Sequence, residues 1–175
     1  MQITISGLPG SGTTTIARLL SKALSMEIIS AGELFRELAR DKDLQLAQFN
    51  ELAESSDDFD RWIDEQQGEE ARKREKVIAE GRLSGYFVPS AELKIWLKAP
   101  IEVRAQRVAK REKIPNEAAL AAMKAREQSE HKRYEEYYGI DLNDLSIYDL
   151  VIDTSRWREN DIVTLILQAK ERMKP

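Results

Sequence analysis

Gly7, Leu8, Pro9, Gly10, Ser11, Gly12, Thr13 and Thr14 form a glycine-rich segment between an apolar run at 3–6 and the stretch Ile16-Ala17-Arg18-Leu19-Leu20. The spacing is that of a phosphate-binding loop, G-x-x-x-x-G-K-[ST], with Thr13 at the lysine position. Glycines let the backbone curl around an anion, and the helix that follows aims free N–H groups and its dipole at it. Thr14 stands where a hydroxyl ligates Mg²⁺. A ligand-free turn would explain the glycines, but not their setting between a strand and a helix N-terminus. The chemistry indicated is the handling of a nucleoside triphosphate.

Arginines supply the second group of chemical residues. Ser30-Ala31-Gly32-Glu33-Leu34-Phe35-Arg36 and Glu80-Gly81-Arg82 each follow a short apolar run. Arg107 and Arg111 are four apart; Arg126 and Arg133 are seven apart with Glu130 between them, so each set shares a helix face. Taken alone, such faces are solvated stripes with pairs like Arg126–Glu130, Ser30 is a helix N-cap, and Arg36 is a surface residue. Beside a phosphate loop, guanidinium forks suit bidentate contacts with phosphates. A loop without lysine needs positive charge from elsewhere, and these arginines are its source.

The elements that must position these groups alternate. Strands are expected at 2–6, 27–30, 76–80, 93–98 and 150–153, and helices at about 13–25, 32–41, 46–54, 59–74, 101–112, 116–138 and 160–173. Alternation of this kind predicts an α/β fold: a parallel sheet of about five strands with helices on both faces, in the manner of P-loop NTPases. Ligands gather outside the carboxyl ends of such strands, where residues 7–12, 30–32 and 81–82 fall. The chain reads as a single domain, 1–175, with two insertions. One, at about 37–74, holds extra helices between the second and third strands. The other, a lid at about 108–130, is built around the turn at 112–117. Both are expected to close over substrate.

Composition narrows the function classes. The chain has 175 residues, 42% of them hydrophobic, no cysteine and one histidine. Disulfides and thiolate metal sites are excluded, and His131 among Glu130, Lys132 and Arg133 reads as an exposed helix position. A net charge of −4 argues against a nucleic-acid partner. No apolar run reaches the ~18 residues of a membrane span, and a strand at the N-terminus leaves no room for a signal peptide, so a cytoplasmic location is expected.

Ser30-x-Gly32-x-x-x-Arg36, the loop and Glu80-Gly81-Arg82 together resemble the nucleoside monophosphate kinase family. Within it, the Gly-Ser-Gly-Thr-Thr-Thr run at 10–15, Lys132-Arg133-Tyr134, Tyr138-Gly139-Ile140-Asp141 and the segments at 93–100 and 145–152 are similar to the archaeal type of cytidylate kinase. The resemblance covers nearly the whole chain. It implies transfer of the γ-phosphoryl group of ATP to CMP or dCMP with Mg²⁺; a monomer that binds neither nucleic acid nor membrane is expected. Gly7 to Gly12, Thr13, Thr14 and Thr15 would cradle the triphosphate; Ser30, Gly32, Arg36, Gly81 and Arg82 would hold the monophosphate. Arg107 and Arg111 match lid arginines on the ATP phosphates. Arg126 and Arg133 match arginines that reach the acceptor and the migrating group, and Glu130 an acidic residue near the cytosine. An acceptor phosphate is already ionised, so no general base is needed, which suits a site rich in arginine. Two alternatives stay open: a kinase of AMP, dTMP or a small hydroxylated metabolite, for which Glu80 is the candidate base, and a nucleotide-binding switch without catalysis.

Overall fold

The computed structural model describes residues 1–45, 48–49, 52, 56 and 58–173. Five parallel strands, β1 (Gln2–Gly7), β2 (Glu27–Ser30), β3 (Val77–Gly81), β4 (Leu93–Lys98) and β5 (Leu150–Asp153), form one sheet in the order β2-β3-β1-β4-β5. Among the described residues, helices α1 (Thr13–Leu24), α2 (Ala31–Asp41), α3 (Asp58–Arg72), α4 (Ser84–Phe87), α5 (Ile101–Glu112), α6 (Asn116–Tyr138) and α7 (Glu159–Arg172) flank it. This is the expected α/β architecture.

Both faces of the sheet are covered, and the side chains show it. Ile3, Ile5, Ile78, Ile95 and Leu97 pack with Ile16 and Leu20 of α1 and Ile162 and Ile166 of α7 in one layer. Val77, Ala79 and Ile29 turn the other way, against Ala71 of α3 and Val88. Adjacent residues of one strand thus serve opposite layers, as the two-residue period of a strand requires. On β1 even Thr4 and Ser6 are fully buried, the mark of a central strand with helices above and below.

The expected boundaries of these elements hold to within a residue or two. The expected third strand at 76–80 is displaced by one residue, to Val77–Gly81, which pairs with Gln2–Ser6. The single-turn helix α4 was not expected; a Cβ on Gly85 within it would lie 2.7 Å from the Tyr148 ring, so a non-local contact sets its place. The expected helix at 46–54 falls mainly on residues outside the described set.

Strand β1 lies at the reversal of the strand order, with β3 on one side and β4 on the other. In register, Ser6 faces Gly81 and Gly7 faces Leu97, so the carboxyl ends of three strands open onto one surface. Ligands bind at such a switch point. The α5–α6 hairpin overhangs it. Lys113 caps α5 in a left-handed conformation at φ 57°, and Pro115 leads straight into α6.

Candidate functional site

The loop between β1 and α1 is held open by its glycines. Gly10 has φ 78°, and a Cβ there would stand 2.7 Å from the Arg104 carbonyl oxygen; Gly12, the N-cap of α1, has φ 97°. Any other L-residue would be strained at either position. Thr13, Thr14 and Thr15 make the first turn of α1, whose N–H groups have no partner within the helix. Two arginines of α5 brace the outside. Arg104, buried, donates to the carbonyl oxygens of Pro9 at 3.1 Å and Ala99 at 2.9 Å and pairs with Glu127. Arg107 donates to Gly10 O at 3.1 Å and to Thr154 Oγ1 and O at 2.9 Å.

The loop separates two clefts. The larger, about 580 Å³, lies between β3, α2, α3 and α6; the smaller, about 290 Å³, lies toward α7 and is bordered by Arg107, Thr154 and Trp157. Gly10, Thr13, Thr14 and Arg111 border both. Leu8 and Pro9 face the larger cleft; Ser11, Gly12 and Thr15 face the smaller. Gly7 packs at the end of β1, where a Cβ would meet Leu97 O at 2.5 Å. Ser30, Gly32, Arg36, Gly81, Arg82, Arg126, Glu130 and Arg133 all line the larger cleft, so residues from three separate segments meet there.

Glu80 organises the floor. Its Oε1 accepts from Thr13 Oγ1 at 2.6 Å and Thr14 Oγ1 at 3.1 Å, and its Oε2 from Ser30 Oγ at 2.6 Å. Ser30 also accepts from Glu33 N at 3.4 Å, so the expected cap and a site contact coexist. The Thr14 hydroxyl and the Glu80 carboxylate are hard oxygen donors beside the phosphate loop, the type of donor that could hold Mg²⁺ together with waters and phosphates. Glu80 was weighed from sequence only as a base; its place against both threonines required the pairing of β1 with β3.

Charges in the cleft are matched one to another. Glu130, fully buried, accepts from Arg82 Nε at 2.5 Å and Arg126 Nε at 2.7 Å. Burial opposes its ionisation, but the two guanidinium groups outweigh that and hold its carboxyl below the usual range. Burial likewise disfavours the charge on Arg82, and Glu130 more than compensates. Arg133 pairs with Asp60, whose pKa burial pushes up to about 6 against the pull of that arginine. Asp64, one turn further along α3, is pushed up to about 8 by burial and then by Asp60, opposed by a hydrogen bond from the Tyr138 hydroxyl. Neither aspartate was singled out from the sequence, although their four-residue spacing was there to read. Arg36 pairs with Glu33 at 2.7 Å, and Arg111 with Glu112 at 2.8 Å, both on exposed rims.

A parallel sheet with a glycine-rich loop at its switch point, a hydroxyl–carboxylate pair under that loop and arginines opposite it define a P-loop phosphotransferase fold. Solved structures share it at the level of fold: an uncharacterized protein from Eubacterium ventriosum (TM-score 0.72, 18% identity, 99% of each chain) and a shikimate kinase from Acinetobacter baumannii in complex with shikimate (TM-score 0.64, 20% identity, 99% of this chain and 95% of that one). The model of the cytidylate kinase-like family matches residues 2–156, and this chain belongs to that family. Its curated relatives include cytidylate kinases of Halobacterium salinarum (49% identical, covering 97% of this chain and 88% of that one), Pyrococcus abyssi (47%; 98% and 94%) and Methanocaldococcus jannaschii (46%; 99% and 99%). Among the described residues, no helix is long and apolar enough to cross a membrane.

Proposed function

We propose that this chain transfers the γ-phosphoryl group of ATP to CMP or dCMP, giving ADP and CDP or dCDP, with Mg²⁺. The observation that carries the reading is the loop's position as a wall shared by two clefts. A triphosphate lying along the loop enters from the smaller cleft and presents its terminal phosphoryl group to the larger. That cleft is lined by arginines suited to an anionic acceptor, with room for a mononucleotide.

The loop from Gly7 to Thr15 cradles the donor phosphates, with the N–H groups of Thr13, Thr14 and Thr15 at the start of α1 as donors, and Ser30, Gly32, Arg36, Gly81 and Arg82 hold the acceptor phosphate. Arg111 and Arg126, with side chains 66% and 54% exposed, are free to swing onto the transferred group and supply the charge absent at Thr13. Arg107 acts by holding the loop through Gly10, and Arg133 by holding Asp60. Thr14 and Glu80 hold the metal, which when bound neutralises charge on the β- and γ-phosphates. The acceptor oxygen is ionised at neutral pH, so no proton need be removed, and Glu80 is engaged by three hydroxyls rather than poised as a base. Catalysis is positioning and electrostatics.

The test is direct: incubate the chain with ATP, Mg²⁺ and each common monophosphate in turn and measure diphosphate. CDP and dCDP are the expected products. A chain that binds ATP but forms neither would refute the reading.

A further inference from the structure

Four carboxyl groups line the larger cleft, and three of them are engaged, two by arginines and one by three hydroxyls. Glu80 accepts from three hydroxyls, Glu130 is clamped by two arginines, and Asp60 pairs with Arg133. Asp64 is the remainder. It is 8% exposed, forms no ion pair among the described residues, and its one hydrogen bond there runs from the Tyr138 hydroxyl to Oδ2 at 3.1 Å. Oδ1 has no hydrogen-bond partner among the described residues. Asp60, Ile63 and Asp64 lie at three- and four-residue spacing on α3, so all three present to the cleft from one helix face. The phosphate loop and Arg82 form the cleft's anion-binding side, and this α3 face closes it elsewhere with an apolar side chain between two carboxyls.

We propose that Asp64 binds the base of the acceptor nucleotide, its carboxyl engaging N3 and the 4-amino group of cytosine through two hydrogen bonds. This rests on the acceptor being CMP. Glu130, which resemblance places near the cytosine, has both oxygens on arginines; Asp64 has an oxygen to offer.

Two in-plane hydrogen bonds to this edge need one donor and one acceptor, because N3 accepts and the amino group donates. A carboxylate can only accept; a protonated carboxyl matches both. The surroundings keep Asp64 protonated at neutral pH. Asp60 faces it from its own helix, and Tyr138, Tyr134 and Glu130 from α6, with the Arg82 cation pulling the other way. Burial and then Asp60 push the Asp64 pKa up to about 8, and both tyrosine hydroxyls are pushed above their usual value and stay neutral. Above that pH the carboxylate meets the N3 lone pair and binding weakens. Adenine offers the same donor–acceptor pattern on a larger ring, so cleft size, not Asp64, has to reject it.

The experiment measures KM for CMP from pH 7 to 9.5 at saturating ATP, together with competitive inhibition by ribose 5-phosphate, which has no base. In the unaltered chain KM should rise about tenfold per pH unit above 8. Asp64→Asn, whose amide offers a donor and an acceptor at every pH, should keep the KM found at pH 7 and remove the alkaline rise. Asp64→Ala should raise KM about 10–100-fold at pH 7, the loss of two hydrogen bonds, with kcat and the ribose 5-phosphate inhibition constant unchanged. A KM flat to pH 9.5 in the unaltered chain would overturn the assignment, as would an inhibition constant that moves in step with KM. If Asp64→Ala does not fold, the asparagine profile decides alone. Failure of the kinase reading differs: the unaltered chain would form no CDP at any pH.

Discussion

Replacing Arg126 by alanine should separate activity from stability, because the structure places its guanidinium on the rim of the cleft. The Arg126–Glu130 contact is a 2.7 Å pair at i,i+4 with the arginine side chain 54% exposed. Such pairs contribute about 0.3–0.5 kcal/mol, and alanine is the better helix former, so the net change in stability should stay within about 0.5 kcal/mol. For a chain of this size that is about 1–2 °C in Tm. A cation that acts on the migrating phosphoryl group is worth about 10³–10⁵ in kcat. Glu130→Ala should behave in the opposite way. It strips the partner from Arg82, whose side chain is 20% exposed against 4% for Glu130. Breaking a buried pair by removing one member costs about 3–5 kcal/mol. Urea unfolding and steady-state kinetics on both variants make the comparison. An Arg126→Ala protein with kcat within about threefold of the parent would refute the role given to Arg126 as an electrostatic catalyst. A loss of more than about 2 kcal/mol in that variant would refute the account of its exposure.

Three further outcomes are expected. Thr14→Ala should lower kcat and raise the Mg²⁺ concentration needed for half-maximal activity, while Thr14→Ser retains both; identical Mg²⁺ titrations in all three proteins would take Thr14 away from the metal. Arg104→Ala, which leaves Glu127 and the Pro9 carbonyl without their donor, should destabilise the chain by about 3–5 kcal/mol in urea unfolding and raise KM for ATP as the loop loses its brace. A stability change under about 1 kcal/mol would show that Arg104 is not a brace. Asp64 predicts a pH dependence of stability. Its carboxyl holds its proton in the folded chain up to about pH 8, against 3.8 for an aspartate in an unfolded chain, so this contribution is fully present below about pH 3.8 and lost as pH rises toward 8. Asp64→Asn should therefore gain Tm relative to the parent between pH 5 and 8; a constant difference across that range would show that the carboxyl is ionised throughout.

What could be read from residue order was whatever lies within a few positions along the chain. The phosphate loop is local: strand, glycines and helix N-terminus follow one another, and the conformations at Gly10 and Gly12 follow from having no Cβ. Strand and helix periods were legible for the same reason, and so was the Arg126–Glu130 pair, four residues apart on one helix. Contacts across the sheet were not. Arg82 meets Glu130 over 48 residues, Arg133 meets Asp60 over 73, and Ser30 meets Glu80 over 50. Each depends on which strands pair and in what register. Residue spacing predicts a charged face but not the partner that neutralises it. It marked Arg107 and Arg133 as groups for phosphate, but not that Arg107 also reaches the Gly10 carbonyl and Arg133 also reaches Asp60. It also passed over Asp64, an ordinary acidic residue on a polar helix. Only burial beside Asp60, with no ion-pair partner among the described residues, raises that carboxyl's pKa, and burial is a property of the packed molecule.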